Sequence, residues 1–297
     1  MLRRLVLLAL ILLPVLAPPV AAAGPAQPRD EHRALMDAGT WPFTALGRLN
    51  AAGRGFCTAV LVGPSTALTA GHCLFNPRNG ALRQLSDIHV VAGFQRDTWL
   101  AHARAKAVRT GLKTFPRNPD SSLAPQDWAV IELDVPIGRT VGWLGVRTLD
   151  AAPDAPLFEA GYRHDRPYAV SLGSGCSVLS RNAERLMHDC TVQQGGSGSP
   201  LLQYDDGRFW VVGLNVMQGR IQDGRAVAIA APAEIFAAGA PGQALSKAGV
   251  SLGAPTPLPE AVGTDTGAFR SVLASCLKAD APLDTLLRRR LPAGCIR

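Results

Sequence analysis

The chain has 297 residues, 47% of them hydrophobic and 18% charged, which excludes the disordered and coiled-coil classes and leaves room for one large domain or two small ones. The formal net charge is +7. No dense Lys/Arg stripe interleaved with aromatics accompanies it, so no nucleic-acid partner is implied.

Met1-Leu2-Arg3-Arg4 is a short basic start, residues 5–17 are apolar apart from Pro14, and Ala21-Ala22-Ala23 forms a small-residue cleavage site before Gly24. That order reads as a secretory signal peptide over 1–23. Its apolar run is shorter than the ~20 residues a membrane-spanning helix needs. The processed chain is therefore expected to be secreted or periplasmic, without stable membrane insertion. Residues 24–42 are polar and Pro-bearing and read as a leader or pro-segment. Short strand-like runs follow at 43–49, 56–62, 67–70, 88–93, 128–133, 157–162, 168–172, 201–204, 209–216 and 226–230, each bounded by Gly, Pro or Asp. Many short strands at this spacing mark an all-β barrel or sandwich, and the strand–helix alternation of a parallel sheet is absent. Residues 232–238 read as a helix start with Pro in its first turn. Residues 241–297 read as a linker followed by two short amphipathic helices, a helical C-terminal extension.

Export places the six cysteines in an oxidising compartment, where an even count implies disulfides. Sequence neighbours suggest Cys57–Cys73, Cys176–Cys190 and Cys276–Cys295, although sequence alone does not choose among the pairings. Each would close a short loop, worth about 3 kcal/mol in the chain-entropy picture. A metal reading is poor, since no CxxC pair occurs and His72 beside Cys73 is awkward geometry for a tetrahedral site.

Three segments stand out together. Thr69-Ala70-Gly71-His72-Cys73 ends a strand, Asp127-Trp128-Ala129-Val130-Ile131-Glu132-Leu133 is an acid opening an apolar strand, and Gly195-Gly196-Ser197-Gly198-Ser199-Pro200 is a glycine loop before a strand. A serine hydroxyl is a poor nucleophile by itself. It needs an imidazole to take its proton and a buried carboxylate to hold that imidazole's tautomer. Glycines let backbone N–H groups face a developing oxyanion without side chains in the way. Singly, the Gly/Ser loop reads as flexible linker, the histidine as structural and the aspartate as a turn residue. Their co-occurrence and order carry the argument.

With these motifs the chain resembles the trypsin/chymotrypsin-like serine endopeptidases, nearer the bacterial branch that includes glutamyl endopeptidases. The match is Thr-Ala-Gly-His-Cys at 69–73, Cys57-Thr58-Ala59-Val60-Leu61-Val62, Gly-Gly-Ser-Gly-Ser-Pro at 195–200, and the His–Asp–Ser order; it covers roughly residues 43–240. The resemblance implies two antiparallel six-stranded β-barrels with the active site in the cleft between them. It implies His72 as general base then acid, Asp127 as orienting carboxylate, Ser197 as nucleophile, and the N–H groups of Gly195 and Ser197 as oxyanion hole. Protein or peptide substrates, no metal or cofactor, and a monomer are expected. Cys57–Cys73 would pin the strand that presents His72.

Two departures stand out. Many relatives carry Asp just before the nucleophile, paired with a freed N-terminal ammonium; Gly196 stands there. By alignment Thr191 and Val192 begin the pocket floor, with no carboxylate for a Lys or Arg side chain, while Asp189 sits before Cys190 and out of register. Glutamyl endopeptidases carry His where this chain has Asn215. Thr191, Asn215 and Met217 are then the substrate-binding candidates, in a mixed, moderately apolar pocket. His32, His89, His102, His164 and His188 have no partner motif and read as structural or solvated, and Arg288-Arg289-Arg290 reads as a solvated helix end. Two rivals remain: an esterase or amidase on the same site, and a catalytically silent fold serving as a secreted binding module. For the common α/β form of the first, Ser199 breaks the G-x-S-x-G pattern; the second would be signalled by loss of a triad member, and none is missing.

Overall fold

Alternation of apolar and polar residues along short strands, one face in and one out, is what closes the first half of this protein. The computed structural model describes residues 33–51, 55–149, 157–205 and 208–237. The expected signal peptide, the start of the leader, the C-terminal extension and the expected Cys276–Cys295 pair lie outside the described residues. After a short strand β1 (Arg33–Leu35) come β2 (Leu46–Ala51), β3 (Phe56–Gly63), β4 (Thr66–Thr69), β5 (Ile88–Ala92), β6 (Ala101–Thr110) and β7 (Ala129–Leu133). Strands β2 to β7 form a closed barrel in the order β2-β3-β4-β7-β6-β5. Its interior is filled by side chains such as Leu49, Leu61, Ile88, Val90 and Ile131, as expected for a barrel this small. Strand β6 reads Ala-His-Ala-Arg-Ala-Lys, with Ala103 and Ala105 buried and His102, Arg104 and Lys106 exposed.

A short helix α1 (Gly138–Val141) leads into the second half: β8 (Gly145–Val146), β9 (Leu157–Arg163), β10 (Arg166–Cys176), β11 (Val178–Arg181), β12 (Leu186–His188), β13 (Pro200–Asp205), β14 (Arg208–Arg220) and β15 (Ala226–Pro232), then helix α2 (Ala233–Ala237). These join β1 in a nine-stranded sheet of order β1-β10-β9-β13-β14-β15-β12-β11, with β8 paired to β14. The protein is thus mostly β and built of two β units. The second unit has more strands than a six-stranded barrel because β1 adds to the edge of β10, β11 adds to the edge of β12, and β8 pairs in parallel with β14.

Residues 33–42, read from sequence as part of a leader, are built into this fold. Arg33 lies opposite Gly173 on β10, and Ala38 is fully buried. Where the sequence pattern put a strand from residue 43, Phe43–Ala45 instead makes a 3-10 turn, and pairing begins at Leu46. One apolar core runs through both units, from Leu46 and Ile131 to Phe158, Tyr162 and Leu214. The Tyr162 hydroxyl crosses the seam to donate to the Phe94 carbonyl at 2.9 Å. Among the described residues no helix is long and apolar enough to cross a membrane.

Candidate active site

The register of one strand pair brings the histidine and aspartate together. Strands β4 and β7 run antiparallel with Thr69 opposite Ala129. Two residues beyond each, the chains still face one another, which sets the Gly71-His72 turn against Asp127. His72 sits in a 3-10 turn, Gly71–Leu74, and the residue after it, Cys73, is bonded to β3 by the Cys57–Cys73 disulfide. The second predicted bridge, Cys176–Cys190, is also formed.

Asp127 uses both carboxylate oxygens on one partner. Its Oδ1 accepts from the His72 backbone N–H at 2.6 Å, and its Oδ2 lies 2.8 Å from His72 Nδ1. Two bonds to one residue fix both the turn and the ring. Because an ionised carboxylate only accepts, the ring proton belongs on Nδ1, which leaves the Nε2 lone pair free as a base. The aspartate side chain is 3% exposed and the histidine 21%, so the carboxylate is shielded while the imidazole is partly open to solvent. The Phe115 ring lies beside it, tilted by 31°, with centroids 5.4 Å apart. Cys57, His72 and Cys73 cluster closely enough to resemble a metal site, but both sulfurs are spent in the disulfide.

The serine loop arrives from the second unit. Gly195 has φ +90° and Gly198 has φ +77°, the left-handed region that side chains disfavour. Space forbids side chains there as well. A Cβ on Gly198 would lie 2.3 Å from Thr69 Oγ1 and 2.7 Å from Ala70 N, and one on Gly195 would lie 2.6 Å from the Phe56 ring. The residue after Ser197 therefore packs backbone-to-backbone on the segment that leads into His72.

Thr58, fully buried, clamps this approach. Its N–H donates to the Ser197 carbonyl at 2.9 Å and its hydroxyl donates to the Gly195 carbonyl at 3.0 Å. The same hydroxyl accepts from Tyr162 N at 2.9 Å, and the Thr58 carbonyl accepts from Thr69 Oγ1 at 2.8 Å. Strand β3 thus holds the serine loop, the second unit and the histidine strand at one residue. Sequence reading passed over Thr58; its only signal was adjacency to Cys57.

The expected pocket residues are distributed less simply. Thr191 offers its carbonyl to the Arg33 guanidinium at 2.9 Å. Asn215 is fully buried, and its amide is engaged at both ends, to Ser199 Oγ at 3.0 Å and to His188 Nε2 at 2.8 Å. A substrate contact with that amide would first have to break one of these bonds. Met217 follows a register break in β14 and is half-buried opposite Ile229 on β15. Asp189 accepts from the Ser177 N–H at 2.6 Å through Oδ1.

Two β units with a histidine–carboxylate pair on one and a glycine–serine loop from the other make the arrangement of a trypsin-like peptidase. Residues 57–214 match the trypsin-like peptidase domain, and the chain belongs to that family. It is 23% identical over 180 residues to a glutamyl endopeptidase of Bacillus licheniformis, covering 60% of this chain and 55% of that protein. It is 24% identical over 185 residues to a protein named extracellular metalloprotease of Bacillus subtilis, covering 60% and 57%. The chain thus spans little more than half the length of these curated relatives. Among solved structures, a Glu endopeptidase in complex with MPD superposes with a TM-score of 0.56 at 22% identity, covering 69% of this chain and 92% of that one. The protease Anisep from Arthrobacter nicotinovorans gives 0.52 at 17% identity, covering 68% and 93%.

Proposed function

We propose that the protein is an exported serine endopeptidase that cleaves peptide bonds through an acyl-enzyme. The observation that carries this is the two-point grip of Asp127 on His72, with the Ser197 loop packed on the strand end that leads into that histidine. In this reading Ser197 Oγ attacks the scissile carbonyl while His72 Nε2 takes its proton. The N–H groups of Gly195 and Ser197 receive the oxyanion, and His72 then protonates the leaving amine. Water repeats the sequence in reverse to release the acid. Export is supported by the signal-like start, by two disulfides suited to an oxidising compartment, and by a relative named as extracellular.

A fluorophosphonate tests the reaction directly. Serine oxygen attacks phosphorus, fluoride leaves, and the serine proton passes to histidine, so one stable adduct is left. The processed protein is expected to be labelled on Ser197 and the Ser197→Ala variant not at all. An adduct mapped to Ser199, or no adduct, would refute the assignment.

Specificity is expected to favour uncharged side chains before the cut. A buried cation needs an opposing charge, and leaving it unpaired costs several kcal/mol. Thr191 brings none, and the Asn215 amide is neutral. Matched substrates differing only at that residue should show kcat/KM lower for Lys and Arg by about 10–100-fold. A strong Arg preference that disappears in Asp189→Ser would place Asp189 at the floor and overturn this reading.

A further inference from the structure

Behind the serine loop runs a chain of buried side chains whose hydrogen bonds can be assigned one direction. The Cys190 N–H donates to His188 Nδ1 at 3.3 Å, which leaves the ring proton on Nε2. That Nε2 lies 2.8 Å from Asn215 Oδ1, so it donates there. The Asn215 amide then donates through Nδ2 to Ser199 Oγ at 3.0 Å, and the Ser199 hydroxyl donates to the Gly196 carbonyl at 2.6 Å. The Ser199 backbone N–H reaches the same carbonyl at 3.0 Å. His188, Asn215 and Ser199 are all fully buried. Each acceptor in this chain is also the next donor's residue, the condition under which hydrogen bonds strengthen one another.

The last link has a consequence for chemistry. The Gly196 carbonyl and the Ser197 N–H belong to one planar peptide and point in opposite directions. Two donors that hold the carbonyl inward therefore hold the N–H outward. Building on the peptidase reading, we propose that His188, Asn215 and Ser199 are positioning residues: they fix the 196–197 peptide so that the Ser197 N–H faces the oxyanion. Such preorganised donors matter because they need no reorganisation as charge develops. Burial keeps the relay in its working form. It pushes the His188 pKa down to about 4, against the Asn215 hydrogen bond and the nearby Asp189 charge that pull it up. The ring stays neutral, and Nδ1 stays an acceptor. The asparagine thereby has a job inside the loop rather than toward substrate.

Ser199→Ala removes the last side-chain donor and little volume. Its kcat on a peptide substrate should fall about 10–100-fold with KM within about two-fold, because only a charge formed in the transition state is affected. Phosphonylation of Ser197 by a fluorophosphonate should slow by a similar factor while still mapping to Ser197. Unchanged kcat and labelling rate, or a rise in KM alone, would overturn the proposal. If the wild type takes no phosphonate, the peptidase reading itself fails, a separate result. A second measurement needs no variant: nitrogen-15 NMR of the wild type should find His188 protonated on Nε2 and bare on Nδ1. The opposite tautomer would reverse the chain's direction and overturn the relay.

Discussion

Asp127→Asn is expected to lower turnover by about 10⁴-fold with the fold intact, and His72→Ala by a similar factor. The reason lies in the two bonds that Asp127 makes to one residue. Its oxygens accept from the His72 backbone N–H at 2.6 Å and from the ring Nδ1 side at 2.8 Å. An asparagine has one oxygen and one amide nitrogen. If the oxygen keeps the backbone bond, the nitrogen must donate to Nδ1, and the ring proton moves to Nε2. The lone pair that should take the serine proton is then gone, although every heavy atom stays in place. Steady-state kinetics of Asp127→Asn, beside its melting curve, separate this from unfolding. Near-normal turnover would move the carboxylate role elsewhere. The nearest sequence rivals are already occupied, Asp120 by the Ser122 N–H and Asp134 by the Arg104 N–H, both at 2.8 Å.

The parts of this site that could be read from sequence are those whose chemistry is local. Thr69 to Cys73 and Gly195 to Pro200 declare themselves because a base needs a histidine and an oxyanion loop needs glycines at adjacent positions. The strands flanking them were legible for a similar reason, being rich in Val, Ile and Leu between turn residues. Strand β6 was missed although its alternation is clean. Its inward positions are alanines, weak strand formers, and they are tolerated because they fill a narrow barrel interior. Strand β12 is three residues long, below what periodicity can report, so His188 had no visible neighbour and read as an ordinary histidine. Thr58, Asn215 and Ser199 became informative only through partners 11 to 137 residues away. Buried polar side chains are chosen by what they must satisfy in space, and a single sequence does not contain that distance.

Arg33 is the sharpest case, and Arg33→Met is expected to destabilise the protein by about 3–5 kcal/mol. Sequence placed this residue in a polar leader, yet its guanidinium lies in the interior of the second unit. It pairs with Glu159, the two side chains being 5% and 1% exposed. It also donates to Ser171 Oγ at 3.0 Å and to the Thr191 carbonyl at 2.9 Å. Glu159 already leaves Oε1 buried with no partner among the described residues, so the arginine carries nearly all of that carboxylate's compensation. Without it, a buried charge is left alone, and Thr191, six residues before Ser197, loses its anchor. For a domain of this size the melting temperature should fall by roughly 6–20 °C. The direction of recovery distinguishes a charge effect from lost packing. Arg33→Met combined with Glu159→Gln removes both charges, and most of the loss should return, because replacing both partners is far cheaper than orphaning one. Calorimetry of the two variants decides. If the double variant melts as low as the single one, the cost lies in packing around Arg33, and the ion pair is not what holds β1 to the sheet.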